Sequence, residues 1–390
     1  MKPVAKVALV VAVLGCVLLG SAAFFVACAV SHLRIGSDGV HAGIEANRVE
    51  THELTLDAGA PLHAQVDCGS IRVTSTSGSS ASVVAHLRAF GEDKQAAEQR
   101  LAQMTLELGP NSVVGHENRD HSVKFFQFGG GEEVDLELAL PAGTRLEIQS
   151  GSGDVTIQGP FGDTRAGSDY GDVSARGIRG TLILKSSSGD IHTSEIQGAS
   201  VSVETSYGDI EIAQVQSNRV EAHTSSGGIE ARKLQAENIR LTSDYGDIRA
   251  QELKGDLESK TSSGEVAISE ANGACLAHSD YGDVEAAGVF RGLSLTTSSG
   301  AIHGRALPGS ALATGWELTS DYGEVKLELP AGLGFELDAS TDYGEVQADL
   351  PGTLGGSKGD ETHKLHGTVG GGGPKLRLHS SSGDVEIATH

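Results

Sequence analysis

The pentapeptide "SDYGD" at Ser168–Asp172 packs two carboxylates, a phenol and a hydroxyl into one turn, and near-copies return at Ser243, Ser279, Ser320 and Thr341. Three chemistries suit such a turn. Carboxylates and backbone carbonyls together are the oxygen set that calcium takes. Acid pairs, such as Asp169 with Asp172 or Asp280 with Asp283, are the raw material of general acid–base work. A row of tyrosines can stack on sugar rings or form a contact strip for another protein. All six tyrosines of the chain, Tyr170, Tyr207, Tyr245, Tyr281, Tyr322 and Tyr343, stand immediately before the glycine of such a turn. They form the candidate surface-binding row.

Each chemistry has a plainer counterpart. The spacing matches neither the calcium-binding β-roll repeat nor an EF-hand loop. Asp and Ser hydrogen-bond backbone groups in turns and Gly supplies positive φ, so no cofactor is expected, with calcium as the alternative. No HExxH or P-loop is present. Acid pairs recur in equivalent turns, whereas an active site breaks a repeat in one place, so no catalytic residues are expected. For the tyrosines, the competing role is packing, each ring covering the backbone of a smaller Ser-bearing neighbour.

The elements that position these turns are periodic. From Leu146 the motif glycines fall at Gly153, Gly171, Gly189, Gly208, Gly227, Gly246, Gly264, Gly282, Gly300, Gly323, Gly344 and Gly383. The steps are 18 or 19 residues through Gly300, then 23, 21 and 39. A fixed period near 20 residues means a solenoid. Two residues after each glycine all twelve copies have Val or Ile, and three before it all have Ser or Thr. Five before, eleven of twelve are apolar, Ser259 being the exception. These offsets share the parity of one strand face and point inward together. Cys275 and Trp316 fall in the inward column seven before the glycine, which makes Cys275 a core residue and argues against a disulfide with Cys68. His223, His278 and His379 fall in an unselectively polar column four before it, expected to face solvent. The residue after the glycine is Asp or Glu in ten of twelve copies.

One unit is therefore strand, tight turn at the glycine, strand, looser turn. Stacked about 4.8 Å apart, twelve units make a rod on the order of 55 Å long. The fold expected is mainly β, a β-solenoid or parallel β-helix of 18–19-residue repeats over 146–390. An antiparallel meander barrel is the alternative. A Gly-rich loop is expected near 352–373. Residues 51–145 read as an N-terminal cap with strands, including "VKFFQF" at Val123–Phe128, and one short helix in Glu92–Met104 with Ala96, Leu101 and Met104 as its apolar face.

Composition agrees with an array. There are 53 Gly, 4% aromatics and 38% hydrophobic residues, too few for large globular cores. A net charge of -23 excludes nucleic acid as a partner and disfavours docking on an anionic membrane surface. The uncharged run from Val7 to Val30 would span about 36 Å as a helix, enough for a bilayer core of about 30 Å. It is expected to be a transmembrane anchor after a cytoplasmic residue 1–6 segment, with 31–50 as linker. A signal cleaved after Ser21–Ala23 or Ala27–Ala29, or lipidation at Cys28 or Cys16, are the alternatives. All of them place the remainder outside the cytoplasm.

The units "SSSGDI", "TSSGEV" and "SDYGDV", the entry "LALPAGTRLEIQSGSGDVTI" and the close "GGGGPKLRLHSSSGDVEI" resemble the bacterial putative-adhesin family of β-strand-repeat proteins, a domain of unknown function. The resemblance covers about Leu54 to Ile387. It implies a β-helix-like extracytoplasmic domain, attached in many relatives to a membrane anchor and linked in some to envelope-stress responses, and it supplies no catalytic residues. The function expected is a membrane-anchored cell-envelope module for adhesion, scaffolding or interaction with an envelope protein or glycan. An envelope-stress sensor is the alternative, and a carbohydrate-active β-helix enzyme the lesser one.

Overall fold

The computed structural model describes residues 33–36, 39–117, 131–350 and 363–390. The expected anchor at 7–30, the residues before it and the expected strand Val123–Phe128 lie outside the described residues. Among those described, no helix is long and apolar enough to cross a membrane.

The chain forms a parallel β-solenoid in which one repeat makes one coil. Ile191, Ile210, Ile229 and Ile248 are register partners at 19-residue steps, and Val266, Val284 and Ile302 continue the column at 18. Every such pairing is parallel, so the two strands joined by a motif turn belong to different faces and do not form a hairpin. The meander alternative fails for that reason. Ten coils follow in chain order from 146–158 to 316–329.

Alternation within each strand builds the core. The Val/Ile column is buried in every coil but the terminal one, where Val346 is half-buried. A strand of about five residues buries too little alone, and stacking makes the interior continuous. In the middle of the array the second strand of one coil runs on into the first strand of the next, as in Ile191–Thr205 and Ile210–Thr224. The bend inside them is made by one left-handed residue: Glu195, Gln214, Lys233, Glu252 and Glu270 have φ of 53 to 58°. Immediately after the bend Ile196, Val215, Leu234, Leu253 and Ala271 turn inward as a short third face. Trp316 and Phe290, edge-on with centroids 6.3 Å apart, fill the wider core near the C-terminal end. Cys275 is buried as expected, and no disulfide joins it to Cys68. Burial pushes its thiol up to about 12, which leaves it neither nucleophile nor ligand at neutral pH.

At both ends the coils do not stack in chain order. The first coil, 62–76, pairs on one side with 146–158 and on the other with 112–114 and 136–141. The repeat stack thus continues through the region read as a cap. Ala81–Gly91 and Ile44–Leu54 extend this end with antiparallel pairings. The helix Lys94–Leu101 lies against them, capped by the Asp93 carboxylate on the Ala96 N–H and burying Ala97 in place of the expected Ala96. At the other end the chain lays down its terminal coil, 335–349, and only then returns. The last segment, 375–389, slots between that coil and 316–329. The Gly-rich excursion is not all loop, since Lys364–Val369 pairs antiparallel along the outer edge of Phe335–Thr341. An unpaired edge of that length would expose a full row of backbone donors and acceptors.

Candidate functional site

The motif turns form one edge of the solenoid, and each of their columns has its own role. The Ser/Thr column is buried, and its hydroxyls form a ladder along the stack. Ser279 Oγ accepts from the Gly282 N–H of its own turn at 2.8 Å and donates to the Gly264 carbonyl of the preceding coil at 2.9 Å. The same pair of bonds recurs at Ser168, Thr224, Ser243 and Thr297, among others. A short hydroxyl that both donates and accepts is required at this point, which accounts for Ser or Thr in all twelve copies.

The glycine column has a cause different from the one expected. Its members from Gly153 to Gly383 do not have positive φ. A Cβ on Gly246 would lie 2.0 Å from the Gly227 carbonyl oxygen, and the equivalent distance is 1.9 to 2.3 Å throughout the column. Glycine is there because the neighbouring coil's backbone occupies the side-chain position.

The acidic column caps the stack. The Asp190 carboxylate accepts the Asp209 N–H at 2.8 Å, and Asp154, Asp172, Asp209, Asp247 and Asp283 do the same for the coil above each. One oxygen of each is thus committed to backbone. Among the described residues no group of three or more His, Cys, Asp or Glu is arranged to hold a metal ion. His223, His278 and His379 are half-buried on the outer face, with His278 tied to Thr296 and Asp280.

The tyrosine rings do something else. Tyr170, Tyr207, Tyr245, Tyr281, Tyr322 and Tyr343 are 69 to 83% exposed, the highest values of any large apolar side chain described. Rings packed into the corner would be shielded, whereas most of the surface of these is open to solvent. Five of them are tied through the main chain, the Tyr245 N–H donating to the Ser225 carbonyl at 3.1 Å and the Tyr343 N–H to the Ser381 carbonyl at 3.1 Å. The alternation with serine is stricter in space than in sequence. Along the chain Tyr322 and Tyr343 occupy consecutive turns, which breaks the pattern. Because the last coil inserts between them, Ser382 stands between the two rings, with its N–H on the Asp321 carbonyl. The row therefore reads ring, serine, ring from Tyr170 to Tyr343 without a fault. Ser188, Ser226, Ser263, Ser299 and Ser382 were not singled out by sequence reading, and the one signal was the doubled Tyr before the Gly-rich return.

A family model, Toastrack DUF4097, matches residues 63–291 and 278–388. The chain belongs to the Toastrack family. Two solved structures align over most of this Toastrack chain. A putative cell adhesion protein from Clostridium sporogenes is 9% identical, with a TM-score of 0.20, covering 88% of this chain and 100% of its own. A putative adhesin from Bacteroides fragilis is 11% identical, with a TM-score of 0.25, covering 88% and 97%. No curated protein matches.

Proposed function

We infer that this Toastrack solenoid is a cell-envelope module that works through its surface, in adhesion, scaffolding or protein interaction, without catalysis and without a cofactor. The observation that carries the reading is the tyrosine edge. Six large aromatic side chains stand 69 to 83% exposed along one line of a rigid stack. Exposed aromatic rows of that kind are what interaction surfaces present. The repetition of equivalent acids around the whole edge argues against a catalytic centre, which needs one distinguished place. Residues 7–30 serve in this reading as the membrane anchor, holding the solenoid on the extracytoplasmic side.

The test is a full-length variant with all six tyrosines replaced by Ser. Its melting temperature is expected to stay within about 2 °C of wild type, since exposed substitutions shift stability little. Binding to isolated envelope fractions or their glycans is expected to fall at least about tenfold, as for loss of interface anchors. Retained binding with unchanged melting would retire the reading, and so would a loss of binding fully explained by unfolding.

A further inference from the structure

We propose that the tyrosine edge binds a polypeptide segment in the polyproline II conformation with Lys or Arg at every third residue. The proposal rests on the interaction reading above and names the partner for the same edge.

Pitch is the first observation. Tyrosines stand on every second coil, so their spacing is two strand separations, about 9.6 Å, and the six rings extend over about 48 Å. An extended β-strand repeats its side chains on one face every 6.8 Å or so, which falls out of step with that row. Polyproline II repeats every three residues at about 3.1 Å each, or about 9.3 Å, and stays in step to within about 2 Å over the whole row. This conformation is also the one that aromatic-lined surfaces recognise, because its order is preformed and its prolines stack on rings.

Charge and shape are the second. From the buried Ser/Thr through the residue after the glycine, the twelve turns hold fifteen Asp or Glu and no Lys or Arg. A polyanion is repelled from such an edge and a neutral chain gains nothing from it. A cation is attracted. Between successive rings the column holds Ser188, Ser226, Ser263, Ser299 and Ser382, side chains small enough to leave a notch. A cationic group in that notch is about 4.8 Å from the coil bearing either ring, inside the about 6 Å reach of a cation–π contact. At three of the five notches the acidic column adds Asp190, Glu265 or Asp384 at the same level, so one ammonium or guanidinium there meets two rings and a carboxylate; at Ser226 and Ser299, followed by Gly228 and Ala301, it meets the two rings alone.

The probe is a labelled peptide of repeated Pro-Pro-Lys triplets long enough to span the row, titrated against the full-length protein by fluorescence anisotropy. It is expected to bind at least about tenfold more tightly than a peptide of identical composition with shuffled lysines, and to lose that margin with the six-fold Tyr→Ser variant. Ser226→Leu, which fills one notch and leaves all six tyrosines in place, is expected to weaken binding several-fold. Equal affinity for the ordered and shuffled peptides would overturn the proposal by leaving charge alone. Binding of a neutral glycan at the row without any binding of the triplet peptide would overturn it in favour of a sugar partner. If the Tyr→Ser variant loses envelope binding although the triplet peptide never bound, the partner is wrong and the contact-strip reading stands. If that variant keeps envelope binding and binds the triplet peptide as wild type does, both readings fall.

Discussion

At the scale of single residues, two columns that look like chemistry, the hydroxyls and the acids, hold the stack together. The serine hydroxyl of each turn joins two coils through buried bonds, so its removal strands a glycine N–H and a carbonyl at once. Ser279→Ala is expected to cost about 1–3 kcal/mol, and Ser279→Thr close to nothing because Thr261 and Thr297 already make the same bonds. Thermal melts check the first point, and amide exchange at Gly282 should quicken in the Ala variant. The acids were the calcium candidates, yet Asp190 and its neighbours already cap backbone N–H groups. The melting temperature is expected to be indifferent to EDTA and to added calcium, and a rise of several degrees with calcium would contradict that. Tyr170 and its five equivalents make no comparable bond through their rings, unlike Asp172, whose carboxylate accepts the Asp190 N–H.

At the scale of the element, the corners decide what the chain tolerates. The motif glycine is excluded from substitution by contact and not by φ. Gly246→Ala drives a Cβ into the Gly227 carbonyl and is expected to cost about 3 kcal/mol or more, with a matching fall in melting temperature. The opposite corner is governed by φ. Lys233 sits at φ 57°, a conformation that costs a side-chain-bearing residue about 1 kcal/mol relative to glycine. Lys233→Gly is therefore expected to be neutral or slightly stabilising, and Lys233→Val destabilising by about 1–3 kcal/mol, measured by chemical denaturation. The glycine corner was legible in sequence as a position, though its cause was misread, because a one-dimensional pattern records which residue is required and not what crowds it. The left-handed corner was invisible. Glu195, Gln214, Lys233, Glu252 and Glu270 share only a polar, unbranched side chain, which any exposed position accepts.

At the scale of the whole molecule, the coil order at the ends sets both closure and the regularity of the tyrosine edge. Removal of 375–390 takes out the coil between 316–329 and 335–349 and leaves two facing rows of unpaired backbone. That truncation is expected to self-associate, seen as a larger species by light scattering after gel filtration. The same inserted coil brings Ser382 between Tyr322 and Tyr343, so the regular row and the closed end depend on one event. The sequence by itself determined the parallel solenoid, its 18–19-residue repeat, the inward Ser/Thr and Val/Ile columns and the buried Cys275. It could do so because a stacked coil imposes the same burial on the same position every time, and repetition amplifies a weak signal. Only the tertiary structure decided which coil lies beside which at the ends, why the glycines are glycines, and that the rings alternate with serine over the whole edge. Those depend on contacts between coils as far as 84 residues apart in the chain, where local spacing carries no record of adjacency.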